Sequence, residues 1–390
     1  MRKTQILAKT LLALSLALPT YVVADVKIGF IGTLSGPSAD VGRDQLDAFK
    51  MALDELDNKL GGVDVKLIEI DDQQKPDAAL NGVTRLLEQE EVDIVTGLTF
   101  AHVLMALQNK IAATDVPFIG TVAGPSATAG DQCKSNLFVM SWQSDTPAEA
   151  IGKYLQDKGV QRLSTLTPNF VGGKDKISGL KTFYKGEVVD EVYTPLNQLD
   201  FSAELTQVAS AGPEAIYVFY PGALGISFVR QYQQSGLNAQ IPLYSTNTME
   251  GDAVNAMGEA AIGTVVADTW TPGMPTERSQ QFVADFSERY GRTPTAYAAF
   301  SYDAAMLLNE VVKELDGDVS DKKRLAETIK AAKFDSLRGD FRFGNNNYPI
   351  QNYHVFEIVA GDQGKPEFTL VAENVLQDQA DQYADQCPMK

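Results

Sequence analysis

VKIGFIG, residues 26–32, is the stretch that sets the architecture. Val26, Ile28, Phe30 and Ile31 crowd β-forming side chains into seven residues whose only charge is Lys27. That is the composition of a parallel strand buried on both faces, which needs helices above and below it. What precedes it is of another kind. Arg2, Lys3 and Lys9 make a basic start, residues 11–18 a short apolar core, and Val22-Val23-Ala24 a small-residue cleavage site. This is the pattern of an export signal, residues 1–24, and its apolar run is too short to span a bilayer. No cysteine sits at the cleavage point to carry a lipid. The expected mature protein is soluble, exported to the periplasm, and opens directly on an α/β domain. Kinase and dehydrogenase chemistry fits poorly there, since ATP and NAD pools are cytoplasmic.

The chain has 390 residues, enough for two domains with full cores, and a formal net charge of −18. Removing the basic leader makes the mature chain more acidic still. That weighs against nucleic acid or an anionic membrane surface as partner, though not against an anionic small ligand met by a local site. Cys133 and Cys387 are the only cysteines, an even number in an exported chain, and a disulfide between them is expected over two free thiols. With His102 and His354 the only histidines, no zinc-site spacing arises, and no metal or cofactor is expected. Neither a G-x-S-x-G elbow nor a phosphate-binding G-x-x-x-x-G-K-[ST] loop occurs, so no enzyme chemistry is indicated.

Strand and helix patterns alternate along the chain. The first series places strands at 26–32, 63–70, 92–96 and 117–120, with helices over 39–58, 76–89 and 101–113. A second begins after Pro147, with strands at 162–166, 188–193, 215–220, 242–245 and 263–269 and helices over 148–158, 174–184, 201–209 and 223–234. Helices at 276–290, 294–315 and 321–332 and a strand at 348–359 follow, then a polar tail, 377–390, that Cys387 pins. Two β-α-β-α series predict two doubly wound parallel sheets, an α/β fold.

Five segments follow one another in order along the chain: GTLSGP at 32–37 with Val41-Gly42, VDIVTG at 92–97, VPFI at 116–119, YVFYPGALGISFVRQYQQSG at 217–236 and AYAAFSYDAA at 296–305. Together they resemble the branched-chain amino-acid-type solute-binding proteins of ABC transporters. The likeness covers essentially the whole mature chain. It implies a type I periplasmic binding protein: two lobes joined by a three-crossover hinge, closing on a small molecule for an inner-membrane ABC permease. It divides the chain into lobe I, 25–142 with 271–348, and lobe II, 143–270 with 349–376, with crossovers near 142–146, 269–275 and 348–352. VMSWQSD at 139–145, RGDF at 338–341 and YPIQNY at 348–353 are similar to the aromatic-acid-binding branch.

Ligands of open α/β sheets sit beyond the carboxyl ends of strands, where helix N-termini present unpaired N–H groups. Thr99-Phe100-Ala101-His102 and the turn containing Ala123 occupy such positions, although Thr99 serves equally well as a helix cap. Phe170, Tyr220, Asn247 and Tyr297 lie at corresponding points and fall where family members line the cleft. Amino-acid-binding members place a threonine where this chain has Ala123, and a glutamate for the ligand ammonium where it has Asn247. Their absence disfavours an amino acid, because a buried ammonium without an acidic partner is costly. Phe100, Trp142, Phe170, Tyr220 and Tyr297 are candidates to sandwich a flat ring, each also an ordinary core residue. Arg43 is a candidate fork for a carboxylate, or a solvated partner of Asp40 or Asp47. His102 either hydrogen-bonds a ring hydroxyl or caps its helix. The expected ligand is a small aromatic carboxylate. The alternatives are a branched-chain amino acid or amide, or a sensing module of the same fold that reports to a membrane receptor.

Overall fold

The computed structural model describes residues 24–361 and 364–389; the export signal lies outside the described residues except for Ala24. The first sheet consists of β1 (Val26–Gly32), β2 (Lys59–Leu60), β3 (Val63–Asp71), β4 (Ile94–Gly97), β5 (Phe118–Gly120) and β6 (Leu137–Val139), in the order β2-β3-β1-β4-β5-β6. All its pairings are parallel except the short β2–β3 hairpin. Val26, Ile28, Phe30 and Ile31 are fully buried, as a central strand requires. The chain leaves β1 toward β3 on one side and returns to β4 on the other, so the winding reverses between β1 and β4.

The second sheet consists of β7 (Arg162–Pro168), β8 (Glu187–Thr194), β9 (Ala215–Val218), β10 (Leu243–Ser245), β11 (Val265–Asp268), β12 (Arg342–Phe343), β13 (Pro349–Ala360) and β14 (Pro366–Gln379). The order β12-β13-β11-β10-β9-β7-β8, with β14 on β13, reverses between β7 and β9. Strands β7 to β11 pair in parallel, while β13 is antiparallel to β11, β12 and β14. Each lobe therefore has its own switch point, the place where an open α/β sheet offers a crevice.

Three crossings join the lobes. The first runs from β6 to the helix Thr146–Asp157, the second from β11 to the helix Glu277–Tyr290, and the third from the helix Lys322–Ala331 to β13. After the second crossing the chain returns to the first lobe. There the helix Ala296–Glu314 packs on the helix Ala39–Glu55, with Tyr302 donating to Glu55 Oε2 at 2.6 Å and Arg292 Nε to Asp44 Oδ1 at 2.8 Å. Thr276, Thr295 and Asp321 cap the three returning helices with their side chains. Close approach explains the glycine of the Val41-Gly42 pair: a Cβ on Gly42 would stand 2.1 Å from the Thr33 carbonyl oxygen.

The structure departs from the sequence reading in several places. The helix expected over 101–113 is two short helices, Ala101–Ala106 and Gln108–Ala112, because Leu107 N turns back to Leu104 O with a tight i−3 bond of 3.0 Å. The segment 366–379 forms β14, so the supposed tail is strand as far as Gln379. Its alternation of Phe368, Leu370 and Ala372 is a legible strand signal that was not used. Short β6 and the helix Gly251–Met257 were also not anticipated. The Cys133–Cys387 disulfide is present, with Cα atoms 5.7 Å apart, and ties the C-terminus to the first lobe.

Candidate functional site

The carboxyl ends of the strands flanking both switch points meet across one cavity. From the first lobe come Thr99, Phe100 and Ala101 after β4, Val122 and Ala123 after β5, and Tyr297 from the returning helix. Facing them are Phe170 and Gly172 after β7, Phe219 and Pro221 after β9, and Asn247 after β10, with Trp142 and Ser144 on the first crossing. Two helix N-termini abut here: a Cβ on Gly172 would be 3.9 Å from the Ala101 Cβ. The amides of Phe100, Ala101 and Gly172, in or beside first helical turns, have no protein acceptor among the described residues.

The walls are aromatic. Phe100 meets Phe170 edge-on at 6.5 Å between centroids, Phe170 meets Phe219 at 6.1 Å, and Trp142 meets Tyr297 at 6.1 Å. Into this setting projects Lys176, 2 % exposed, from the helix Val171–Phe183. Its Nζ lies 5.3 Å from the Trp142 ring centroid and 5.4 Å from that of Phe219. It donates to Asn247 Oδ1 at 2.6 Å, and Asn247 Nδ2 donates in turn to Asp268 Oδ2 at 2.7 Å. Burial pushes the Lys176 ammonium down to about 8, against the pull of Asp268 and Asp145. Burial likewise lifts the Asp268 carboxyl to about 7 and raises Glu250 well above the ordinary carboxylate range. At neutral pH the cavity thus presents one cation, held by a neutral amide and framed by aromatic faces.

Of the residues singled out from sequence, Thr99, Phe100, Ala101, Ala123, Trp142, Phe170, Asn247 and Tyr297 line this cavity. Arg43, His102 and Tyr220 do not. Arg43 is exposed, its Nε donating to the Leu34 carbonyl at 3.3 Å, so it forms no fork toward the cleft. His102 stands behind the aromatic wall, 5.8 Å from Phe100 and 6.0 Å from Phe170, with Nε2 3.2 Å from the Gln74 carbonyl oxygen. Tyr220 is fully buried in the second lobe against Phe201 and Phe228 and accepts a hydrogen bond from Thr194. Successive residues leaving a strand point to opposite faces, so its neighbour Phe219 takes the cleft. Thr99 keeps its place, but its hydroxyl is spent on Gln45 Oε1 at 2.7 Å and on the Thr33 amide at 3.1 Å. Sequence reasoning passed over Lys176. The available signal was its spacing of four from Leu180, which sets a lysine on the buried face of its helix.

Protein groups also bridge the cleft. Ser126 donates through N and Oγ to Asp175 at 3.1 and 2.9 Å, Ala296 N to Glu250 Oε2 at 3.1 Å, and Tyr297 Oη to the Asn247 carbonyl at 3.2 Å. The two lobes are closed on each other.

The profile of the family described as "Periplasmic binding protein" matches residues 25–364. The chain belongs to the periplasmic binding protein family. Members are solute-binding proteins rather than enzymes, exported and linked to ABC transport. This periplasmic binding protein is 27% identical over 376 residues to "Leu/Ile/Val-binding protein homolog 6" of Brucella melitensis biotype 1, covering 92% of this chain and 94% of that one. Among solved structures it is similar to an ABC-transporter solute-binding protein from R. palustris in complex with benzoate. That match has a TM-score of 0.86 at 26% identity, over 94% of this chain and all of the other. It is also similar to one from Rhodopseudomonas palustris BisB5 in complex with 3,4-dihydroxybenzoic acid, with a TM-score of 0.86 at 25% identity, over 91% and 98% of the two chains.

Proposed function

We propose that this periplasmic binding protein captures a small monocyclic aromatic carboxylate, such as a benzoate, phenylacetate or hydroxycinnamate, and hands it to an inner-membrane ABC permease. One observation carries the reading: the Lys176 ammonium is buried between the faces of Trp142 and Phe219 in the cavity wall. A carboxylate ligand can pair directly with this ammonium, which among the described residues bonds the neutral Asn247 amide and makes no ion pair with the acids around it. The ligand's ring lies against Phe100, Phe170 and Tyr297, where offset and edge contacts add to simple burial. The free amides of Phe100, Ala101 and Gly172 suit the same anion. The benzoate and 3,4-dihydroxybenzoic acid complexes of the similar proteins support this class.

The second reading, a branched-chain amino acid, rests on the Leu/Ile/Val-binding relatives. It must place a ligand ammonium in a cavity whose one charged lining group is another ammonium, while Asp268 is shielded by the Asn247 amide. Cleavage after Ala24 and rigid-body swinging of 25–142 with 271–348 against 143–270 with 349–376 complete the proposal. Hinge closure around ligand is the established motion of periplasmic binding proteins. A thermal-shift panel of aromatic acids against branched-chain amino acids tests it, since a ligand at 100 times its Kd stabilises by about 2.7 kcal/mol. Shifts with aromatic acids are expected. A shift with leucine or valine and none with any aromatic acid refutes the assignment.

A further inference from the structure

The Asn247 amide joins more charge than the ligand cavity shows. Its oxygen holds the Lys176 ammonium, and its nitrogen faces two carboxylates, Asp268 Oδ2 at 2.7 Å and Glu250 Oε1 at 3.4 Å. The second oxygen of Glu250 takes the Ala296 amide of the opposite lobe, so closure itself sequesters this acid. The second oxygen of Asp268 takes the Thr269 amide at 2.7 Å. The cluster thus holds one cation and two acids before any ligand arrives.

The neighbours do not correct the imbalance. Asp175 faces Lys176 from its own helix and Asp145 from the first crossing, adding negative charge. Tyr297 faces Glu250 and Asp268 from the returning helix, and Tyr353 faces Asp268 from β13. Arg338, the other cation within reach of Asp268, is committed to Asp303, with Nε 3.1 Å from its Oδ2. A ligand carboxylate therefore brings further negative charge to a cation already faced by four acids, in an enclosed site where uncompensated charge is costly.

We infer that closing on an aromatic carboxylate draws a proton from solvent onto Asp268 or Glu250, so that ligand capture is coupled to proton uptake. This rests on the aromatic-carboxylate reading. Protonation of one oxygen leaves the other as an acceptor, because Asn247 and the Ala296 and Thr269 amides donate to different oxygens of each acid. The two carboxyls titrate as a pair, so the proton belongs to the pair. Burial already raises both acids toward neutrality before the anion is added.

The test is calorimetry of benzoate and 4-hydroxybenzoate near neutral pH in phosphate and in Tris, whose ionisation enthalpies differ, combined with infrared difference spectra of binding. The binding enthalpy should depend on the buffer, with about half to one proton taken up per ligand. A carboxylic-acid C=O band should appear on binding, and either Asp268→Asn or Glu250→Gln should remove it. Above neutral pH the affinity should fall by up to about tenfold per pH unit. Binding heat with no buffer dependence, or with proton release, overturns the inference and leaves the functional reading standing. Uptake without a new carboxyl band puts the proton on Lys176 and also overturns it, as does a band that survives both substitutions. No binding of either acid, with binding of an amino acid, defeats the functional reading and the inference with it.

Discussion

Replacing Lys176 by methionine separates charge recognition from everything else the cavity does. Methionine keeps the unbranched stem between Trp142 and Phe219 and deletes only the ammonium. A hydrogen bond to a charged group contributes about 1.5–3 kcal/mol, and a buried charge stripped of its partner costs about 3–5 kcal/mol. Taking about 3 kcal/mol for a carboxylate left facing Asn247, the Kd for benzoate should weaken by about 100-fold, at roughly 1.4 kcal/mol per decade. The ligand-free fold should lose stability as well, because Asp268 and Glu250 are left without the cation that Asn247 links to them. Titration calorimetry gives the first quantity and a thermal melt without ligand the second. A folded variant that binds benzoate within threefold of the parent would falsify the assignment of Lys176 as the carboxylate anchor.

Arg43→Ala should leave the affinity unchanged, because its side chain is exposed and turned to the Leu34 carbonyl; a tenfold loss in calorimetry would return it to the site. Phe219→Ala should weaken an aromatic ligand by more than tenfold, whereas an effect confined to the melting temperature would make Phe219 a packing residue only. Opening the Cys133–Cys387 bridge, which closes 254 residues of sequence, should destabilise by up to about 5 kcal/mol in the chain-entropy model. Joined cysteine peptides in a non-reducing digest check the linkage itself. Glu149 is buried beside Asp145 and Asp381, and burial raises it to about 8. Folded protein therefore holds a proton there that the unfolded chain has already released above its ordinary value. Stability falls as pH rises through that window and the full penalty applies above about 8. Glu149→Gln should raise the melting temperature at alkaline pH and change little in acid; an equal gain at both pH values would contradict the assignment.

Much of this architecture was legible because its signals are local. VKIGFIG carries its own burial, and the helices 76–89 and 223–234 carry their own periodicity and punctuation. The site was legible wherever strand ends locate it, as at Thr99, Ala123, Phe170 and Asn247. It failed where a single residue of parity decides direction: Phe219 and Tyr220 are both aromatic, and only the pleat and the Phe201–Phe228 cluster determine which one enters the core. Arg43 drew attention as the base nearest a loop, although sequence distance says nothing of where a side chain points. Lys176 was hidden because a lysine in an amphipathic helix is normally solvated. Its burial depends on Trp142 from the first crossing and Asn247 from after β10, partners far away in the chain. The strand β14 differs, since its alternation of Phe368, Leu370 and Ala372 is local and was legible in the sequence.

The engaged hydroxyl of Thr99 bears on how receptors of this build diversify. On the first lobe the Thr99 side chain at the cavity is satisfied by Gln45, which in turn donates to Thr121, so it is main-chain amides there that lack a protein acceptor among the described residues. Amides cannot be exchanged by mutation. For the aromatic carboxylate proposed above, the side chains that meet its charge therefore stand on the second lobe, at Lys176 and Asn247. The first lobe then supplies shape and fixed main-chain donors, and a duplicated copy of this gene could acquire a new substrate by changing one half of its cleft.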